Sequence, residues 1–271
     1  MVAAPLGALL LEMLPMQGIL SIDVITALFA ILPLSFIHIP QPERNSVDAE
    51  NTTIWTDFKA GLHYMLGWSG LLIIGLMMVG INFTIIPAFS LLPLMIKDYF
   101  GGGAIQLSWV ESAMGAGMIV GGVLLGIWGG FSRKILTSLV GLMGMGAGTL
   151  ILALAPSSSI FLAVGGALLV GFMTPMTMGP FFAVIQSTVA PDMQARVFSL
   201  LTSVGTGIVP LGLMIAGPVA DRVGIQAWFL LGGTLCILMA VTGLFIPAVM
   251  NMEKKANPLS EAVGMSVKQA I

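Results

Sequence analysis

Two carboxylates stand where acids are costly. Glu111 lies inside the apolar run "LSWVESAMGAGMIVGG" and Asp23 inside "GILSIDVITALFAIL". An acid at membrane depth marks an ion pathway or a proton relay by default. Desolvation favours the neutral form of a carboxyl group, so such an acid takes up a proton on one side of a barrier and releases it on the other. The sequence leaves a second possibility open: both acids fall near helix ends, where they would be hydrated in the interfacial zone.

A second group could bind rather than titrate. Asn82 and Thr84 precede Pro87, and Thr174 and Thr177 flank Pro175, each set within a long apolar run. Proline removes a backbone hydrogen bond and kinks the helix. Nearby hydroxyls and amides either satisfy the freed carbonyls or line a cavity where substrate binds. Gln186 and Thr202 are candidates of the same kind. Four charged residues fall in short gaps between apolar runs: Arg133 and Lys134 in "GGFSRK", Asp192 and Arg196 in "VAPDMQARVF". They read as positive-side anchors and as a helix cap at Asp192. No metal site, nucleotide loop or enzyme motif such as H-E-x-x-H, G-x-S-x-G or C-x-x-C occurs, so the chain is not expected to be an enzyme or to hold a cofactor. His38 and His63 read as interfacial side chains. Cys236 is alone, which excludes an internal disulfide.

The elements that must hold these residues are membrane helices. Of 271 residues, 57% are hydrophobic and 8% charged, against about 25% charged in soluble domains. The net charge of −2 suggests no nucleic-acid partner, and Met1–Leu11 lacks the basic region of a secretory leader. About 20 apolar residues cross the hydrocarbon. Seven segments reach that length, at roughly 17–39, 69–96, 105–131, 134–155, 159–187, 197–220 and 226–250. Met1–Leu14 is apolar but shorter, and reads as part of a further helix. The fold class is all-α: a polytopic transmembrane bundle of seven complete spans plus one partial N-terminal helix. Alternating the loops puts Arg44, Lys59, Arg133, Lys134, Arg196, Lys254, Lys255 and Lys268 on one side and only Lys97 and Arg222 on the other, which together are all ten basic residues. The first side is expected to be cytoplasmic.

In the polar stretch 40–66, Trp55, Phe58, Leu62 and Met65 recur at helical spacing, which predicts an amphipathic helix on the inner membrane face. Gly122, Gly126 and Gly130 recur every four residues, as do Gly117 and Gly121, a spacing that lets helix backbones approach closely. "PLGALLLEMLPMQGI" from Pro5 and "PLGLMIAGPVADRVGI" from Pro210 form an internal repeat, six helices apart. The expected organisation is 1–39, the end of an N-terminal six-helix half; 40–67, a cytoplasmic loop with the amphipathic helix; 68–250, a C-terminal six-helix half; and 251–271, a cytoplasmic tail.

Three stretches carry a resemblance. "WVESAMGAGMIVGGVLLGIWGGFSRK" resembles the eighth helix and following basic loop of the major facilitator superfamily, more narrowly of the macrolide-efflux-like drug exporters of bacteria. "VAPDMQARVFSLLTSVGTGIVPLG" is similar to that family's junction of helices ten and eleven, and "AGPVADRVG" to the end of helix eleven. The resemblance implies a multi-pass protein of the inner or plasma membrane that exports small hydrophobic substrates in exchange for protons or another coupling ion, by alternating access between two halves. It places Arg133 and Lys134 in the second-half counterpart of the family's signature loop, though without that loop's usual carboxylate, and gives Asp192 and Arg196 a gating alternative. It also implies four helices before the first one present. The rival expectation is a truncated, non-transporting fragment, or a half that needs a partner chain supplying the N-terminal half.

Overall fold

The computed structural model of the chain describes residues 54–255 and, before them, Gly18, Ser21, Ile25 and Thr26, all four helical. The expected span 17–39, the partial helix 1–14 and Asp23 lie outside the described residues.

Chain order follows hydropathy closely. Helix α1 is Ile54–Leu66. Helix α2 begins at Ser69–Ser90 and runs on through a short turn and a π turn to Tyr99. Helices α3 (Ala104–Trp128), α4 (Lys134–Leu154) and α5 (Ile160–Thr188) follow. Next come α6 (Pro191–Gly207), α7 (Val209–Val223) and α8 (Ile225–Phe245). Two short pieces, α9 (Pro247–Met250) and α10 (Met252–Lys255), close the described chain. With α6 and α7 counted as one span, six helices among the described residues are long and apolar enough to cross a membrane. They match the last six expected from sequence.

Three boundaries differ from expectation, each for a local reason. Helix α3 stops at Trp128 rather than 131, because Gly129 and Gly130 take left-handed φ values of 75° and 81°, the glycine stop of many helices. Gly130 therefore lies outside the helical glycine row of Gly122 and Gly126. The last long span ends at Phe245, and Pro247 starts α9. The cap of α6 is Ala190, with Pro191 as first helical residue. Proline's fixed φ suits that position, so Asp192 falls at the second helical position instead of at the cap.

The helices α4, α5 and α8 form the tightly packed side of the bundle. Its middle is an apolar cluster of Ile81, Ile85, Leu142, Met145, Val170, Cys236 and Ala240. Two further clusters close its ends. One gathers Leu71, Ile135, Phe181, Val197, Val249 and Met252, and the other Ala88, Met95, Val110, Leu152, Ala163 and Trp228. Helix α1 does more than lie beside the bundle. Met65 is buried in the first of these end clusters, the Ala190 N–H donates to the Tyr64 hydroxyl at 3.4 Å, and a Cβ on Gly61 would stand 3.2 Å from the Arg196 carbonyl oxygen. Leu62 and Leu66 stay exposed. The chain thus has a basic end, carrying α1, the α3–α4 loop, the α5–α6 junction and the terminal pieces. At the opposite end the Tyr99 hydroxyl donates to the Ala155 carbonyl at 3.0 Å.

Candidate functional site

Helix α3 carries the most informative acid. At 100° per residue, Glu111, Met118, Gly122 and Gly126 share one face, while Val110, Met114, Gly117 and Gly121 form another about 90° round the helix. The second face is packed: Val110 and both glycines are buried. A Cβ at Gly117 would collide with the Leu168 carbonyl oxygen of α5, one at Gly121 with that of Phe172, and one at Gly171 with that of Met114. The Glu111 face is uncovered among the described residues. Glu111 is exposed, Met118 is exposed, and no described residue lies within 4 Å of a Cβ built on Gly122 or Gly126. Beside it, Ser112 Oγ is buried without a hydrogen-bond partner among the described residues.

The proline-associated candidates behave differently. Thr84 is fully buried; its hydroxyl donates to Gly80 O at 2.8 Å, and its carbonyl accepts from Trp228 Nε1 at 3.0 Å. Thr177 is buried too. Its hydroxyl donates to Met173 O at 2.9 Å, and its carbonyl accepts from Ser138 Oγ at 2.6 Å. Each of these carbonyls lies three residues before a helical proline, Pro87 or Pro180, beside the one whose ladder bond the proline removes. In both cases the donor to the threonine carbonyl comes from a neighbouring helix. The threonine hydroxyls, which the sequence suggested for that task, instead bond one turn back in their own helices. Half-buried Thr174 does likewise, to Val170 O at 2.8 Å. Half-buried Asn82 donates to Met78 O at 2.8 Å and stands where α6 presents Gly205.

A cavity between α2, α4 and α5 is lined by Met77, Met78, Ser138, Leu142, Thr177 and Phe181, among others, at about 30 Å³. It has room for about one water and no drug-sized ligand. Gln186 and Thr202 are exposed, with Thr202 bonded to Phe198 O at 2.8 Å. Arg133 and Lys134 are exposed at the basic end, and half-buried Arg196 reaches Met193 Sδ at 3.7 Å. The structure therefore brings Glu111 to an open face, packs Thr84 and Thr177 inside the bundle, and leaves the basic residues together at one end.

Sequence reasoning missed Gln194, which holds the α5–α6 junction. Its amide donates to Gln186 O in the last turn of α5 at 2.8 Å and to Val189 O, its C-cap, at 3.1 Å. No sequence signal marks such a bond, since a glutamine just after a proline is unremarkable by itself. It also missed Glu253, whose one signal is an acid between a span's end and two lysines.

Comparison with known proteins decides the family. The model of the Major Facilitator Superfamily matches residues 1–208 and again residues 72–269. The chain belongs to the Major Facilitator Superfamily. Macrolide efflux protein A of Streptococcus pyogenes is 31% identical over 256 residues, covering 94% of this chain and 62% of that protein. Macrolide efflux protein A of Enterococcus faecalis is 30% identical over 214 residues, covering 78% of this chain and 65% of its own length. Multidrug efflux pump Tap of Mycolicibacterium fortuitum is 26% identical over 154 residues, 56% and 37% of the two chains. The chain thus spans about 62% of the length of the first of these relatives. As a Major Facilitator Superfamily chain it is a multi-pass membrane protein of a transporter family, and the open face of α3 belongs to one of its spans.

Proposed function

We propose that this chain works in a secondary efflux transporter, moving small hydrophobic compounds of the macrolide kind out across the cell membrane in exchange for protons. The observation that carries the proposal is Glu111: a carboxylate inside an apolar span, exposed on a face that no described helix covers. Such an acid is reachable from a water-filled path, and a carboxylate within a span marks an ion or proton pathway by default. The proton enters from the outer side and leaves toward the basic end, which is cytoplasmic by the excess of Lys and Arg. Residues 68–250 act as one six-helix half that rocks as a unit against residues up to 39, with 40–67 as the tether and 251–271 as a tail. A match to the family model in two overlapping registers supports related halves. Asn82, Thr174, Gln186 and Thr202 keep some exposure and are the polar groups available to substrate, and Asp23 is a second proton candidate. The names of the matched relatives favour this over a non-transporting fragment.

Inverted vesicles containing the protein, with a labelled macrolide supplied in the outer medium and uptake into the lumen followed, test the proposal. Glu111→Gln keeps the shape and removes the titration. Uphill movement driven by a pH gradient should fall at least tenfold, while exchange of macrolide for macrolide continues. Uphill movement at the normal rate would assign the proton elsewhere, and no macrolide movement by the unsubstituted protein would overturn the transporter reading itself.

A further inference from the structure

Beyond the last span, the chain turns back under the basic end. We propose that residues 246–255 form a latch across that end, with the Glu253 carboxylate holding the start of α4 and the basic loop before it. Helix α4 has no side-chain cap of its own: Arg133 precedes it in extended conformation and contributes none. The first N–H groups of a helix lack partners within it. Glu253 Oε1 accepts from the Ile135 N–H at 2.9 Å across 118 residues of sequence. A negative charge there also meets the positive end of the helix dipole.

The rest of the segment is built to hold that carboxylate in place. Val249 and Met252 are fully buried in the same apolar cluster as Leu71, Ile135 and Val197, so they join the starts of α2, α4 and α6. At the start of α2, Gly70 leaves the room: a Cβ there would stand 2.7 Å from Met252 Cγ. Two attachments on one short element, one apolar and one charged, therefore fix ten residues against three span ends. Arg133 and Lys134, the cap and first residue of α4, are exposed beside the capped turn. Release of Glu253 would free the α3–α4 loop, which makes the latch a device for opening or holding the cytoplasmic end.

Trypsin tests this on detergent-solubilised full-length protein, because Lys254 and Lys255 follow Glu253 directly. Cleavage after these lysines is followed by mass spectrometry. Unfolding of the bundle is followed in parallel by the maleimide reactivity of Cys236, which is fully buried and the only cysteine. Glu253→Ala should speed cleavage about fivefold, a typical cap's worth, with Cys236 reacting at its original rate. Glu253→Gln keeps an acceptor without the charge and should fall between. Gly70→Ala should also speed cleavage, and adding Glu253→Ala to it should have little further effect, since contacts serving one element do not add. Unchanged cleavage in Glu253→Ala, or a matching rise in Cys236 reactivity, would overturn the latch.

Discussion

Helix α3 shows two rows of glycine at the same spacing with opposite fates. Gly117 and Gly121 lie against the α5 backbone so closely that neither admits a Cβ, with Gly171 answering from α5. Gly122 and Gly126, one residue further round, meet nothing among the described residues. Small-residue spacing thus permits close approach without saying which row has a partner. The same contrast runs through the bundle. In α4, 61% of the most apolar stretch is buried, against 22% in α3 and in the α6–α7 span. The packed side of α4, α5 and α8 is a scaffold held by backbone contact. The side left open among the described residues is the one that carries Glu111.

The largest effect that would break this contrast comes from filling the packed row. Gly121→Leu places atoms inside the Phe172 carbonyl and cannot relax without separating α3 from α5. It should cost about 3 kcal/mol or more and abolish recovery of monodisperse protein from detergent on size-exclusion chromatography. Gly122→Leu, at the very next residue, should leave recovery normal. Equal losses from both would mean that both rows are covered and that the open face does not exist.

A smaller effect sharpens the scaffold side. The Ser138 hydroxyl donates to Thr177 O at 2.6 Å between two buried positions. Side-chain bonds within membranes average about 0.6 kcal/mol and reach about 1.7. Ser138→Ala should therefore cost about 1 kcal/mol and lower the melting temperature by about 2–4 °C, read from the temperature at which Cys236 becomes reactive. Thr202→Ala, whose exposed hydroxyl bonds only its own helix, should leave that temperature unchanged. A larger shift at Thr202 than at Ser138 would reverse the assignment of scaffold and open side.

Why the sequence showed one part of this and hid another follows from range. Each span announces itself over twenty consecutive residues, so the six described spans, the helix at 54–66 and the charge asymmetry were all legible. The cap at Ala190 was not, because Pro191 and Asp192 both favour helix starts and only the backbone decides which position each takes. Thr84 and Thr177 looked like cavity residues beside prolines, and the donors to their carbonyls, Trp228 and Ser138, lie 144 and 39 residues away. Glu253 and Ile135 are 118 apart. Contacts of that kind depend on how helices are arranged, which no local pattern encodes. The acid at Glu111 was visible because its cost is local: any carboxylate in that run stands out. Its open surroundings were visible only once α5 was seen to take the neighbouring row.

The smallest expected effect is the most discriminating. Gly122→Ala and Gly126→Ala add one methyl group each to the open row. A glycine inside a helix costs roughly 0.5–1 kcal/mol relative to alanine because it loses more freedom on folding, so on a truly uncovered face each substitution should be neutral or stabilising by up to about 1 kcal/mol. The same substitution at Gly117 should destabilise, because there the methyl has no room. Thermal unfolding of the three single variants, again through Cys236, gives the comparison directly. Stabilisation at 122 and 126 together with unchanged macrolide movement would make the row a bystander to transport. Stabilisation with slowed movement would mean that the face must glide against another surface as the protein turns over. A loss of stability at Gly122 like that at Gly117 would show the row packed in the membrane, and would remove the open path on which the role of Glu111 depends.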